Sequence, residues 1–258
     1  MSRKKTLWFG TTEHREWVMC PDQGLEMAAV GWNASGTYQN GGAWSRSSET
    51  THREYSATFS GDYGDVQDVL DFVEGQFGPG PYYFVDPFSQ GTNMLPKWIA
   101  SPRLMASDAP SFLKGVRPTL VATPATSPRL PTKSAVFTTT ALSAFTPFRL
   151  AIPDNGSVTL LWWGSSTGTA TLRANNLVVP PGVETTVTGP WLDLSLSGIG
   201  TITISGIMCQ YGTTNFTKFL SGRGATALDK TSTQLTGYSA IRGRVSATLG
   251  LLEVGGWK

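Results

Sequence analysis

From Thr6 to Phe59 the chain sets short β-prone runs, TLWFG, EWVMC, EMAAVGW and REYSATF, between DQG, NASG and QNGG. Glycine and asparagine readily take positive φ at such breaks, so the pattern predicts a set of hairpins. Over 65–77 the period changes. In DVQDVLDFVEGQF, Val66, Val69, Leu70, Val73 and Phe77 recur at helical spacing and leave Asp68, Asp71 and Glu74 on the other face. Asp65 is placed to cap the start, Asp68 lies towards the positive end of the dipole, and Gly78 with Pro79 is the expected stop.

YYFV then reads as a buried strand, and Asp86-Pro87 takes the chain out of the sheet, because proline offers no ladder donor and pushes its predecessor out of the helical region. An irregular arm follows. Its Phe88, Leu95, Trp98 and Ile99 must be covered by their own domain or by a neighbouring subunit. Residues 103–132 carry prolines at 110, 118, 124, 128 and 131 and read as a linker or crossover. From Ser134 short strands return, SAVFTTTA, FRLAI, SVTLLWW, TATLRA, NLVV, ETTVT, LDLSLSG and TITISGIMCQ, at the regular spacing of a jelly-roll β-sandwich that ends near Tyr211. The expected organisation is an N-terminal β domain over 1–105, a linker over 106–132, a jelly roll over 133–211, and a C-terminal β extension over 212–258 that packs on one of the two domains.

Composition agrees with this β reading. The 258 residues suffice for two domains with their own cores, and 29 glycines and 16 prolines with only 15% charged residues suit short strands and tight turns. The expected fold class is mainly β: an N-terminal sandwich or barrel with one amphipathic helix, and the jelly roll. A net charge of +2 supplies no concentrated field for phosphates or anionic lipid, so neither specific nucleic-acid binding nor membrane insertion is expected. The basic SRKK is followed only by TLWFG, far short of a signal-peptide apolar region, and synthesis and folding in the cytoplasm are expected. Cys20 and Cys209 stand far apart and build neither a disulfide framework nor a cysteine zinc site. The glycosylation-like tripeptides at Asn33, Asn155 and Asn215 are discounted on the same absence of a secretory signal.

Candidate chemistry is sparse. Gly164-Ser165-Ser166-Thr167-Gly168 spells a nucleophile elbow, but TATLRA follows where a hydrolase needs a helix, and His14 and His52 lie far upstream; a hairpin turn is the better reading. His14-Arg15-Glu16 and His52-Arg53-Glu54 repeat a triplet that, on a strand, sets imidazole and carboxylate on one face. Without a third such motif, exposed strand faces are the expectation and no metal is assigned. No phosphate cradle and no paired catalytic carboxylates stand out, so no catalytic residue, cofactor or enzymatic activity is expected. Trp162 and Trp163 are adjacent and must face opposite ways on a strand, which leaves one of them, with Trp191, as a candidate for glycan stacking or a partner contact.

The run PYYFVDPFSQGTNMLPKW after a hairpin domain and an acidic amphipathic helix, the glycine-rich SGRGATAL after the jelly roll, and the terminal LLEVGGWK together resemble minor tail proteins of long-tailed phages infecting actinobacteria. Within that group the chain looks most like the distal tail type, the hub where tail tube meets tip. The resemblance spans nearly the whole chain, strongest at 78–102 and 245–257, on motifs that are structural and carry no chemistry. It implies an N-terminal domain that oligomerises into a ring, usually a hexamer, joined to an outward-facing galectin-like or carbohydrate-binding-module-like domain. It also implies a place in the virion tail tip after assembly in the host cytoplasm. The partners it implies are the tail tube protein, the tape measure protein and other tail-tip proteins, with host surface glycan as a further contact. A proline-stiffened aromatic arm loses little conformational entropy on docking. Tyr82, Tyr83, Phe84, Phe88 and Trp98 are therefore expected at or beside the ring interface, with Asp86 and Pro87 setting the exit angle. The competing expectation is a carbohydrate-binding module that adheres to envelope glycan through Trp162, Trp163 and Trp191.

Overall fold

Antiparallel sheets dominate the computed structural model, which describes residues 5–22, 25–30, 33–38, 41–47, 52–80, 82–85, 87–102, 118–123, 129–140, 148–213, 215–239 and 243–253. The first part of the chain supplies β1 (Lys5–Gly10), β2 (Arg15–Met19), β3 (Glu26–Val30), β4 (Asn33–Thr37), β5 (Ala43–Ser47), β6 (His52–Asp62), α1 (Tyr63–Glu74) and β7 (Tyr82–Val85). Two short helices follow, α2 (Pro87–Gly91) and α3 (Lys97–Ala100). The middle supplies β8 (Thr119–Ala122), β9 (Lys133–Thr139), β10 (Phe148–Ala151), β11 (Ser157–Ser166), β12 (Thr171–Ala174), β13 (Leu177–Val179), β14 (Thr185–Thr188), β15 (Trp191–Ser197) and β16 (Gly200–Tyr211). The chain closes with the long strands β17 (Ala225–Ser239) and β18 (Arg244–Glu253). The fold is mainly β, as the strand patterns require.

β17 and β18 return to the first sheet, whose order is β2-β1-β7-β17-β18-β6-β3, while β4 and β5 form a separate ribbon. The sheet has two halves with different burial. On β6 and β18, Tyr55, Ala57, Phe59, Val245, Ala247, Leu249 and Leu251 point at α1, and Ser56, Thr58, Ser60, Ser246 and Thr248 point away. This alternation is what a strand covered on one face demands. On the outer face Thr58 and Thr248 share a hydroxyl hydrogen bond of 3.0 Å, and Ser60 donates to Ser246 at 3.1 Å. β1 and β7 are covered on both faces. Leu7, Phe9, Tyr82 and Phe84 face α1, whereas Trp8 and Val85 join the core of the second body. That double covering is why YYFV is apolar without interruption.

α1 buries Val66, Val69, Leu70, Phe72 and Val73, as its period predicts. It is shorter than its apolar spacing suggests. Gly75 adopts φ 83°, its N–H is accepted by the Asp71 and Phe72 carbonyls, and the helix stops there, ahead of Gly78. Phe77 reaches the core by a turn, and Asp62 rather than Asp65 stands at the N-cap.

The second body is a β-sandwich of a four-stranded sheet, β10-β15-β12-β13, on a five-stranded sheet, β14-β11-β16-β9-β8. Leu192, Leu194 and Leu196 of one sheet meet Val158, Leu160 and Trp162 of the other in one core. On β16 the inward positions change parity, from Ile202 and Ile204 to Ile207 and Cys209. A bulge opposite Trp163 and Gly164 makes the change and keeps both apolar pairs inside. The stretch expected as linker contributes β8 to this body, as an edge strand paired with β9. The elbow-like GSSTG carries the chain from β11 across to β12 in the opposite sheet. It is thus an inter-sheet connection instead of the expected hairpin turn.

Candidate assembly surface

The arm after β7 is fastened to its own chain. Met94, Leu95, Trp98, Ile99 and Ala100 are buried in the sandwich-side core, and Trp98, 7% exposed, meets Phe148 edge to face at 5.4 Å. Asn93 organises the junction. Its side-chain amide donates to the carbonyls of Ile207 (3.0 Å) and Leu220 (2.9 Å), and its carbonyl oxygen accepts from the N–H groups of Leu95 and Cys209. An asparagine with no exposed surface that fills four bonds fixes arm, sandwich and the segment before β17 in one geometry.

The glycine-rich SGRG has a steric reason. A Cβ on Gly224 would stand 1.6 Å from the Met94 carbonyl oxygen, and one on Gly222 would stand 2.3 Å from that of Leu95. From the other side the buried Arg53 guanidinium donates to three successive carbonyls, Gly222 (2.8 Å), Arg223 (2.9 Å) and Gly224 (3.0 Å). The Arg53 backbone N–H donates to the buried Glu253 carboxylate at 3.2 Å. Burial, then the charge of Arg53, lowers the nearby Lys97 ammonium pKa, and Glu253 opposes the shift. Arg53 is thus a structural clamp; of the two candidate ligands in its triplet, the His52 side chain lies outside the described residues and Glu54 is exposed.

Of the residues expected at a ring interface, Tyr82, Tyr83, Phe84 and Trp98 are buried within the chain itself. Phe88 is 62% exposed, with the Arg223 guanidinium 5.9 Å from its ring centroid. Asp86 and the Pro87 side chain lie outside the described residues.

The tryptophans mostly serve the interior. Trp162, 1% exposed, donates its indole N–H to the Val179 carbonyl in the sandwich core. Trp163 is half-buried against Phe219. Trp191 carries the Arg15 guanidinium 3.8 Å over its ring, with Arg149 at 5.3 Å and Tyr83 edge-on. Arg149 is held by a two-point bond to Asp193, which raises its pKa, and burial lowers that of Arg15. Together with the bond from the Trp17 indole to Asp154, this stack joins the first sheet to the sandwich. His14 stacks on Phe77 at 4.6 Å with Glu16 at 3.9 Å. Among the described residues no three His, Cys, Asp or Glu side chains come together to hold a metal ion, and no helix is long and apolar enough to cross a membrane.

The surface that remains unused is an edge of backbone. β17 pairs with β18 from Leu228 to Ser239, but with β7 only at Ala225 and Leu228. Beyond Leu228 the hairpin projects past β7, and among the described residues Asp229 to Leu235 has no strand on that side. All seven of these residues are exposed. The sequence reading gave this segment no site; its only signal is the long polar, β-prone run DKTSTQLTGYS, which is far longer than a hairpin on a small sheet needs.

No family model, curated protein or solved structure matches the chain.

Proposed function

We propose that the chain is a structural subunit of a phage tail tip, of the distal tail type, acting by association and not by catalysis. The observation that carries this reading is the unpaired β17 edge. Asp229 to Leu235 is exposed and extended with no strand on that side among the described residues, so alternate residues turn backbone N–H and C=O groups outward, and such an edge is a template for another strand. In this reading the sheet beside it closes into a ring, a hexamer on the family resemblance. α1 then lies outside and the hydroxyl-rich face of Thr58, Ser60, Ser246 and Thr248 lines the passage. The sandwich is the outward jelly-roll domain, held rigidly to the ring by Asn93, Arg53 and the Arg15 stack on Trp191. Tail tube, tape measure and other tail-tip proteins are the neighbours this assignment supplies, with the virion tail tip as location and the host cytoplasm as place of assembly. Host-glycan adhesion draws less support, since none of Trp162, Trp163 and Trp191 is an exposed platform.

Native mass measurement over a range of concentrations, with negative-stain images, tests the proposal. A closed multimer with a central opening is expected; a monomer at every concentration refutes it.

A further inference from the structure

The stack on Trp191 gathers more positive charge than it neutralises. On the first sheet, Arg15 of β2 and Tyr83 of β7 both pair with Gly10 of β1, so the three form one row on one face. Gly10 sets no side chain between its two neighbours, and the Arg15 chain occupies that space: a Cβ on Gly10 would stand 2.8 Å from Arg15 Cγ. On the sandwich, Arg149 of β10 pairs with Asp193 of β15, and Trp191 lies two residues before Asp193 on the same outward face. The indole is where the two rows meet. Arg15 Cζ stands 3.8 Å from its centroid, Arg149 Cζ 5.3 Å, and the Tyr83 ring is edge-on at 5.3 Å.

The donors in this group are unequally used. Both Asp193 oxygens accept from Arg149, at 2.7 and 2.8 Å, so that carboxylate is committed to one guanidinium. Asp154, on the same side of the first sheet, accepts the Trp17 indole N–H. Arg15 bonds through Nη1 alone, to the Thr11 and Thr12 carbonyls at 3.3 and 3.2 Å. Its Nε is buried with no acceptor, and among the described residues it has no ion pair. The Tyr83 hydroxyl likewise bonds to no described residue, although Tyr83 is only 8% exposed. Two guanidiniums against one carboxylate leave a net positive charge beside donors that lack acceptors, which is the complement of an anion carrying several oxygens.

We infer that the Trp191 stack is a binding site for a small oxyanion, held by the Nε–Nη2 edge of Arg15, by Arg149 and by the Tyr83 hydroxyl. Solvent reaches the site from the Arg149 side, whose side chain is 44% exposed. The three groups lie in one another's field: burial and then Arg149 disfavour the charge on Arg15, while Tyr83 supports it. Burial raises the Tyr83 phenol pKa against the pull of both arginines, so the hydroxyl keeps its proton at neutral pH and serves as a donor. An oxyanion bound there bridges the first sheet and the sandwich within one chain, and the site is independent of the ring reading above.

Calorimetric titration of the full chain with sodium sulfate, phosphate and acetate, each at constant ionic strength against chloride, tests the inference. One saturable site per chain is expected for at least one of the three. Saturation by acetate assigns the site to a carboxylate; saturation by sulfate or phosphate alone assigns it to a tetrahedral group. Tyr83→Phe keeps the ring and removes the hydroxyl, and Arg149→Gln removes a charge from an exposed side chain where the fold tolerates it. Each should weaken binding by about tenfold or more, in chains shown by circular dichroism to melt cooperatively. An ion held only by surface charge responds to Arg149→Gln and not to Tyr83→Phe. No saturable binding of any of the three anions, or binding that either substitution leaves unchanged, overturns the inference.

Discussion

Replacing Trp98 by alanine distinguishes a residue that holds its own chain together from one that holds two copies together. Trp98 is 7% exposed in the isolated chain and packs edge-on to Phe148, and its indole N–H has no acceptor among the described residues. The loss is therefore one of packing. A buried tryptophan cut back to alanine costs about 3–5 kcal/mol, of which the aromatic pair accounts for roughly 0.5–1.5. For a chain of this length each kcal/mol lowers Tm by roughly 2–4 °C, so a fall of about 6–20 °C is expected. Urea unfolding followed by circular dichroism, at a concentration low enough to exclude self-association, gives the free energy directly. Phe88→Ala is the control: with 62% of its surface already exposed, it should change stability by no more than about 0.5 kcal/mol. Should Trp98→Ala unfold within about 1 kcal/mol of the parent yet lose self-association, the packing reasoning is wrong and Trp98 belongs to an interface between copies.

Leu235→Lys should leave the monomer's melting unchanged, because the side chain is exposed, and should weaken ring formation in sedimentation velocity. Arg53→Met removes a charged donor from three carbonyls and should cost about 3–5 kcal/mol in urea titration, with hydrogen exchange rising at residues 222–224 before the rest of the chain. Gly224→Ala meets backbone and not a flexible side chain at 1.6 Å, so it should destabilise by more than 1 kcal/mol or fail to fold, whereas Gly41→Ala, strained but in open space, should remain folded. Burial raises the phenol pKa of Tyr82, Tyr83 and Tyr211 above 10.0. The folded chain then keeps protons that the unfolded chain has lost, so the stability present below the unfolded value drains away as pH rises through the folded ones. Lys97, lowered from 10.5, acts in the opposite sense, but its contribution is complete above that value. Stability should accordingly decline above about pH 10.5, with phenolate absorbance lagging behind that of the urea-unfolded chain; coincident titrations would refute the assignment.

The alternating runs determined that β6 and β15 are strands and which of their residues face a core, because a period of two leaves no other way to bury Tyr55, Ala57 and Phe59, or Leu192, Leu194 and Leu196, together. The same local logic placed α1 and the double burial of YYFV. What lies across the chain was not written in any local pattern. β17 and β18 join a sheet begun some two hundred residues earlier, as the pairing of Leu228 with Tyr82 and of Leu251 with Tyr55 requires, and strand partnership at that separation is set by the whole core and not by either segment. Arg53, the middle residue of a triplet read for its His52 and Glu54, is a clamp, because only tertiary structure brings the carbonyls of Gly222, Arg223 and Gly224 to it. The free edge is likewise a property of the sheet alone: an unpaired strand is known only from which neighbour stops short, and β7 stops at Leu228.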